Sequence, residues 1–104
     1  MPVTAITDQA AQILDAHHRG ETKNEYGRLI VAGFSVTDGA GGTVRVSHAT
    51  PQPDLLDPER PSDDEVTAAR HRMVDAYAAT LTAAGWSVNR RGPHSRHPYL
   101  LAAR

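Results

Sequence analysis

The segment from Ser62 to Trp86 carries a helix start at one end and a helix stop at the other, and this bracketed helix most limits what the chain can fold into. Ser62 and Glu65 stand in the S-x-x-E spacing of a capping box, in which each side chain satisfies a backbone N–H that the helix leaves unpaired. Asp63, Asp64 and Glu65 add negative charge at the positive end of the helix dipole. At the far end Gly85 is placed as the left-handed C′ residue, and Trp86 follows it as C″, where it can pack back on Leu81. Between these signals Val66, Met73, Val74, Tyr77, Leu81 and Ala84 share one face at helical spacing. A helix with such a stripe has to bury it against a second layer.

The rest of the chain supplies that layer. A first helix is expected from about Asp8 to Arg19, with Thr7 as N-cap, Gly20 as the stop, and Ile6, Ala10, Ile13, Leu14 and His17 on one face. Arg28 to Thr37, R-L-I-V-A-G-F-S-V-T, reads as one interior strand. The D-G-A-G-G turn of residues 38–42 leads into T-V-R-V-S-H, where Val44, Val46 and His48 point one way and Thr43, Arg45 and Ser47 the other. W-S-V-N-R and P-Y-L-L-A-A-R give two more strands. The segment at about 49–61 contains four prolines and reads as a long crossover loop, with Leu55 and Leu56 tucked against the domain or, as the alternative, exposed as a partner anchor. The order is α-β-β-α-β-β. It implies a single α+β domain over residues 1–104, a two-layer sandwich with two helices on one face of a four-stranded, mostly antiparallel sheet.

Composition agrees with a small folded domain that has a thin core. Apolar residues are 39% of the chain, but sixteen are alanine, and Leu, Ile, Val and Phe together number nineteen. Net charge is only −1, so the combination of low hydrophobicity and high charge that marks disorder is not met. A domain of this length buries roughly 60–70% of the surface that its unfolded chain exposes. There is no cysteine, which excludes disulfides and thiolate metal sites. The opening M-P-V-T-A-I lacks a basic stretch followed by an apolar one, and Leu29–Phe34 is far too short to span a bilayer, so a cytoplasmic location without membrane contact is the expectation. Ten arginines against one lysine, with so much alanine, suggest a GC-rich bacterial, phage or plasmid coding sequence.

Charge is polarised along the chain. Six acids against Arg60 occupy residues 54–65, whereas from Ser87 onward Arg90, Arg91, Arg96 and Arg104 stand with no acidic side chain. The stretch N-R-R-G-P-H-S-R-H-P-Y concentrates Arg90, Arg91, His94, Arg96 and His97 on what should be a hairpin turn, and a ribbon rich in arginine can bracket phosphates. The competing account is a solvated turn whose arginines pair with the acids of residues 54–65. Arg70 is the sharpest anomaly, because it falls at the centre of the long helix's apolar stripe. A guanidinium there must reach water, pair with an acid such as Asp54, Asp57 or Glu25, or hold an anion in a cleft between the helix and the crossover loop.

Other chemistries find less support. The six histidines include His17-His18 and His94-x-x-His97, but no spacing gathers three or four ligands, so neither metal nor cofactor is expected. D-G-A-G-G-T joins two strands and lacks the helix N-terminus a phosphate cradle needs. No G-x-S-x-G elbow is present. The leading expectation is therefore a non-enzymatic binding module that contacts an acidic protein or nucleic acid through Arg90, Arg91, His94, Arg96 and His97, with Arg70 contributing. A second is a homodimeric or protein-partner adaptor that uses the helix-free sheet face or edge, suggested by Leu29 and Val31 lying opposite Ile30, Ala32 and Phe34. A small enzyme ranks third and would need His17, Arg70 and Tyr77 in one pocket.

Overall fold

The structure, a computed structural model, describes residues 5–52 and 54–104; Met1 to Thr4 of the opening segment and Pro53 of the proline-rich loop lie outside the described residues. In chain order the elements are α1 (Ile6–Asp15), β1 (Thr22–Lys23), β2 (Leu29–Val31), β3 (Gly33–Asp38), a 3₁₀ turn at Ala40–Gly42, β4 (Val44–Ala49), α2 (Asp63–Ala83), β5 (Ser87–Arg91) and β6 (Tyr99–Ala103). The four-stranded sheet has the order β3-β4-β6-β5 and is antiparallel throughout. Two hairpins thus meet along β4 and β6, and both helices pack on one side. The chain is an α+β domain of the expected two-layer kind. Among the described residues, no helix is long and apolar enough to cross a membrane.

Strand alternation sorts the side chains. Phe34, Val44, Val46, Leu100 and Ala102 face the helices and are buried with Ala10 and Leu14 of α1, Val74, Tyr77 and Leu81 of α2, and Trp86. On the opposite face the register aligns Thr37, Arg45, Leu101 and Asn89 in one row, and Ser35, Ser47, Tyr99 and Arg91 in the next.

Both ends of α2 fall where the sequence puts them. Ser62 Oγ accepts the Glu65 N–H at 3.1 Å. Gly85 has φ +90°, its N–H reaches the Thr82 carbonyl at 3.0 Å, and the Trp86 N–H reaches the Leu81 carbonyl at 3.0 Å. These last two bonds make a complete Schellman motif.

Helix α1 departs from expectation at both ends. It starts at Ile6 with Ala5 as N-cap, so Thr7 lies inside it, and it stops at Asp15. The N–H groups of His17 and His18 both turn back to the Leu14 carbonyl, at 3.0 and 2.7 Å. Ending here lets the following backbone run along β3: the Phe34 N–H donates to the Arg19 carbonyl at 3.0 Å, and the Glu21 N–H to the Phe34 carbonyl at 3.1 Å. His17 consequently leaves the apolar stripe and is exposed.

The expected single strand from Arg28 to Thr37 is two. β4 offers partners only to Gly33–Asp38, because its ladder ends at Ala49, just short of Pro51. Leu29–Val31 pair instead with Thr22–Lys23 across a turn in which Asn24 Oδ1 accepts the N–H groups of Tyr26 and Arg28, at 2.9 and 3.0 Å. Leu29 and Val31 therefore do not lie on the four-stranded sheet: the two-sided apolar pattern that suggested a sheet-face dimer is split, with Leu29, Ile30 and Val31 in this separate ribbon and Phe34 in β3. Leu55 and Leu56 do not tuck in either, being 72% and 92% exposed. Asp54 and Asp57 fold the loop onto itself by accepting the N–H groups of Leu56 and Glu59, at 3.0 and 2.9 Å, which leaves the leucines outward.

Candidate functional site: an arginine cleft between α2 and the last hairpin

Arg70 sits on the first half of α2, where the turn between β5 and β6 folds against the helix. Two consecutive helix residues hold that turn. Arg70 Nη1 donates to the Arg96 carbonyl at 3.1 Å, and His71 Nε2 donates to the Ser95 carbonyl at 2.8 Å. Arg70 Nη2 donates to Thr50 Oγ1 at 2.7 Å, just past the end of β4. The guanidinium thus links three segments without meeting a carboxylate. Asp54, Asp57 and Glu25 do not pair with it; the ion pairs among the described residues are Lys23 with Glu21 and Arg90 with Asp75. Of the five N–H donors of a guanidinium, two are engaged by the described residues and three remain.

Around Arg70 opens a cleft of about 720 Å³. His48, Thr50 and Ala69 line it beside Arg70, and Arg72 and Arg96 bring two further guanidinium groups to its walls, with His97 next to them. Asp63 and Glu65 line it too, at the start of α2, where they already serve the helix terminus. A second cleft of about 380 Å³ shares His48, Thr50, Arg70 and His97 and reaches Arg45 and Ser47 on the helix-free face.

The floor of the cleft is neutral and tightly tied. His48 Nδ1 and the Tyr77 hydroxyl lie 2.7 Å apart. Burial pushes the Tyr77 phenol up to about 12, while burial and then the Arg70 charge hold His48 below its ordinary value. Both partners are uncharged at neutral pH, so the positive charge of the floor rests on Arg70. On the other side of Tyr77, His18 stacks edge-on with ring centroids 5.0 Å apart. The Thr80 hydroxyl donates to the Ala76 carbonyl at 3.0 Å and so accepts from His18 Nε2 at 2.7 Å.

The residues singled out in the sequence are thus sorted. Arg70, Arg96 and His97 come together at the cleft. Arg90 faces α2 and pairs with Asp75, so it is spent inside the fold rather than on the acids of residues 54–65. Arg91 points to the helix-free face, and His94 is exposed on the turn. The pocket of His17, Arg70 and Tyr77 does not form, because His17 turns out after α1 and His48 takes the place beside Tyr77. His48 and Thr50 are the site residues that sequence reasoning missed. The signal for His48 was present: it shares the inward alternation of Val44 and Val46, and a histidine closing an apolar row needs a polar partner. Among the described residues, no group of three or more His, Asp or Glu side chains is placed to hold a metal ion. Compared with known protein families, curated proteins and solved structures, the chain matches none.

Proposed function

We propose that the chain is a non-enzymatic binding module that holds an anionic group of a macromolecular partner, acidic protein or nucleic acid, in the Arg70 cleft, with Arg96 and His97 of the last hairpin as the other contacts. One observation carries this reading. Arg70 is fixed by Thr50 and the Arg96 carbonyl and, among the described residues, keeps three donors free and has no carboxylate partner. A guanidinium held in advance by neutral acceptors loses little freedom on binding a phosphate or carboxylate. The histidine beside it, His48, is neutral and already paired with the buried Tyr77 hydroxyl. Arg90 is left out of the contact set because Asp75 already neutralises it.

The test is fluorescence anisotropy with three labelled probes: a single-stranded oligonucleotide, a duplex and a Glu-rich peptide. The wild-type chain should bind at least one of them with an affinity that falls as salt rises. Arg70→Gln combined with Arg96→Gln should weaken it about a hundredfold or more, since each charge-assisted contact is worth about 1.5–3 kcal/mol. Unchanged binding in that double variant, or no binding of any probe by the wild type at low salt, overturns the reading.

A further inference from the structure

The Arg70 cleft does not end at the helix side of the sheet. The smaller cleft that shares Arg70 and His97 opens past Ser47 and Arg45 onto the helix-free face. There the Arg45 guanidinium lies 4.0 Å from the centre of the Tyr99 ring. Next to Tyr99 across the β6–β5 pair stands Arg91, and next to Leu101 stands Asn89. A shallow groove of about 450 Å³ runs between Asn89 and Arg91 on one side and Ala40 and Gly41 on the other, with Leu101 among its lining. None of the side chains that the register assigns to this face is acidic.

We infer that this face binds a single-stranded nucleic acid that enters from the Arg70 cleft, an inference that rests on the cleft being an anion site. The chemistry of the face selects this occupant. Tyr99 backed by Arg45 is a π platform that any base can stack on. Leu101 gives an adjoining base an apolar seat, and the Asn89 amide can both donate to and accept from a base edge. Arg91, Arg45 and Arg70 are positioned for the backbone phosphates between the two ends. An acidic peptide would use the arginines but leave the platform and the Leu101 seat without a purpose. A duplex hides its base faces, so the platform would go unused, and what it presents instead is phosphate and groove edges, which strongly basic domains bind, whereas this chain has net charge −1 and an isoelectric point near 6.6. A second copy stacked face to face would set Arg45 and Arg91 against like charges.

The experiment measures binding of the full chain to an oligothymidylate and an oligouridylate of about a dozen residues, a size within the range one small domain covers, beside a duplex and an oligoglutamate of equal length. Single strands should bind at least about tenfold tighter than duplex or peptide, and Tyr99→Leu should cost about tenfold while Tyr99→Phe restores binding. Arg91→Gln should flatten the slope of log affinity against log salt by about 0.7, the value for one lost single-strand phosphate contact. Should Tyr99→Leu fail to fold, amide shifts of Asn89, Arg91 and Leu101 in the wild-type chain on adding oligothymidylate supply the same information. Equal or tighter binding of duplex or oligoglutamate overturns the inference, as do unmoved amides. Loss of binding on Arg70→Gln with none on Tyr99→Leu overturns the platform and leaves the cleft reading standing. Loss on Tyr99→Leu with none on Arg70→Gln overturns the cleft and leaves the platform.

Discussion

At the scale of single residues, two histidines are held neutral by the fold, and this has a measurable cost in acid. His48 lies against the Tyr77 hydroxyl with the Arg70 charge near it, and His18 lies between the Tyr77 ring and the Thr80 hydroxyl with His17 near it. Burial is the main cause of the lowered pKa in each case, and the neighbouring Arg70 or His17 adds to it. A histidine whose folded pKa lies below its unfolded value of 6.5 contributes stability that is present above pH 6.5 and is lost as pH falls through the folded value. Urea unfolding should therefore show stability falling from pH 7.5 toward pH 5.5, a window above ordinary carboxylate titration. In a His18→Asn, His48→Gln double variant this slope should be clearly reduced. A slope equal to wild type would mean that neither histidine is held neutral by its partners. The same residues explain what was legible at this scale. Arg70 was recognisable because a charge in an apolar stripe violates helical patterning, whereas the identity of its partners depends on Thr50 and the Arg96 carbonyl, neither of which any local pattern ties to it.

At the scale of elements, legibility follows from whether the determining contacts are local. Helix α2 could be bounded to within a residue because Ser62 and Gly85 act on groups three or four positions away. The break between β2 and β3 could not, because it is set by where β4 runs out of partners and by the Asn24 turn that recruits Leu29–Val31 elsewhere. The end of α1 was missed for a similar reason, since the Arg19–Glu21 backbone is claimed by Phe34. That crossing makes one glycine indispensable. A Cβ on Gly33 would lie 2.3 Å from the Gly20 carbonyl carbon and 2.5 Å from the Arg19 carbonyl oxygen, and both are backbone atoms that cannot rotate away. Its φ is not in the left-handed region, so the demand is for space alone. Gly33→Ala should destabilise the domain by about 2–3 kcal/mol in urea unfolding, at the upper end of overpacking costs. An unchanged midpoint would show that the 19–21 segment does not pack on β3 as described.

At the scale of the whole molecule, a near-neutral chain gathers, where two clefts meet, arginines that form no ion pair among the described residues. The sequence shows acids and arginines in separate blocks, and the fold does not cancel them against each other. Among the described residues, no ion pair joins residues 54–65 to the last hairpin. Part of the acidic block is held at the start of α2, and Asp54 and Asp57 fold the loop. Arg70, Arg96 and His97 are left around one cleft with Arg72 beside them. The candidate hairpin was thus legible as a block of charge, and its division into Arg90 inside, Arg91 outside and Arg96 at the cleft required the strand register. The most direct test of the central claim is an NMR titration of the wild-type chain with tripolyphosphate at low salt, following backbone amides and arginine Nε–H signals. The account predicts that the largest shifts fall on Arg70 Nε–H and on the amides of Thr50, Arg96 and His97, saturate, and shrink as salt is added. Shifts centred instead on the exposed Leu55–Leu56 loop or the β1–β2 ribbon, or no saturable shift at all, would contradict it.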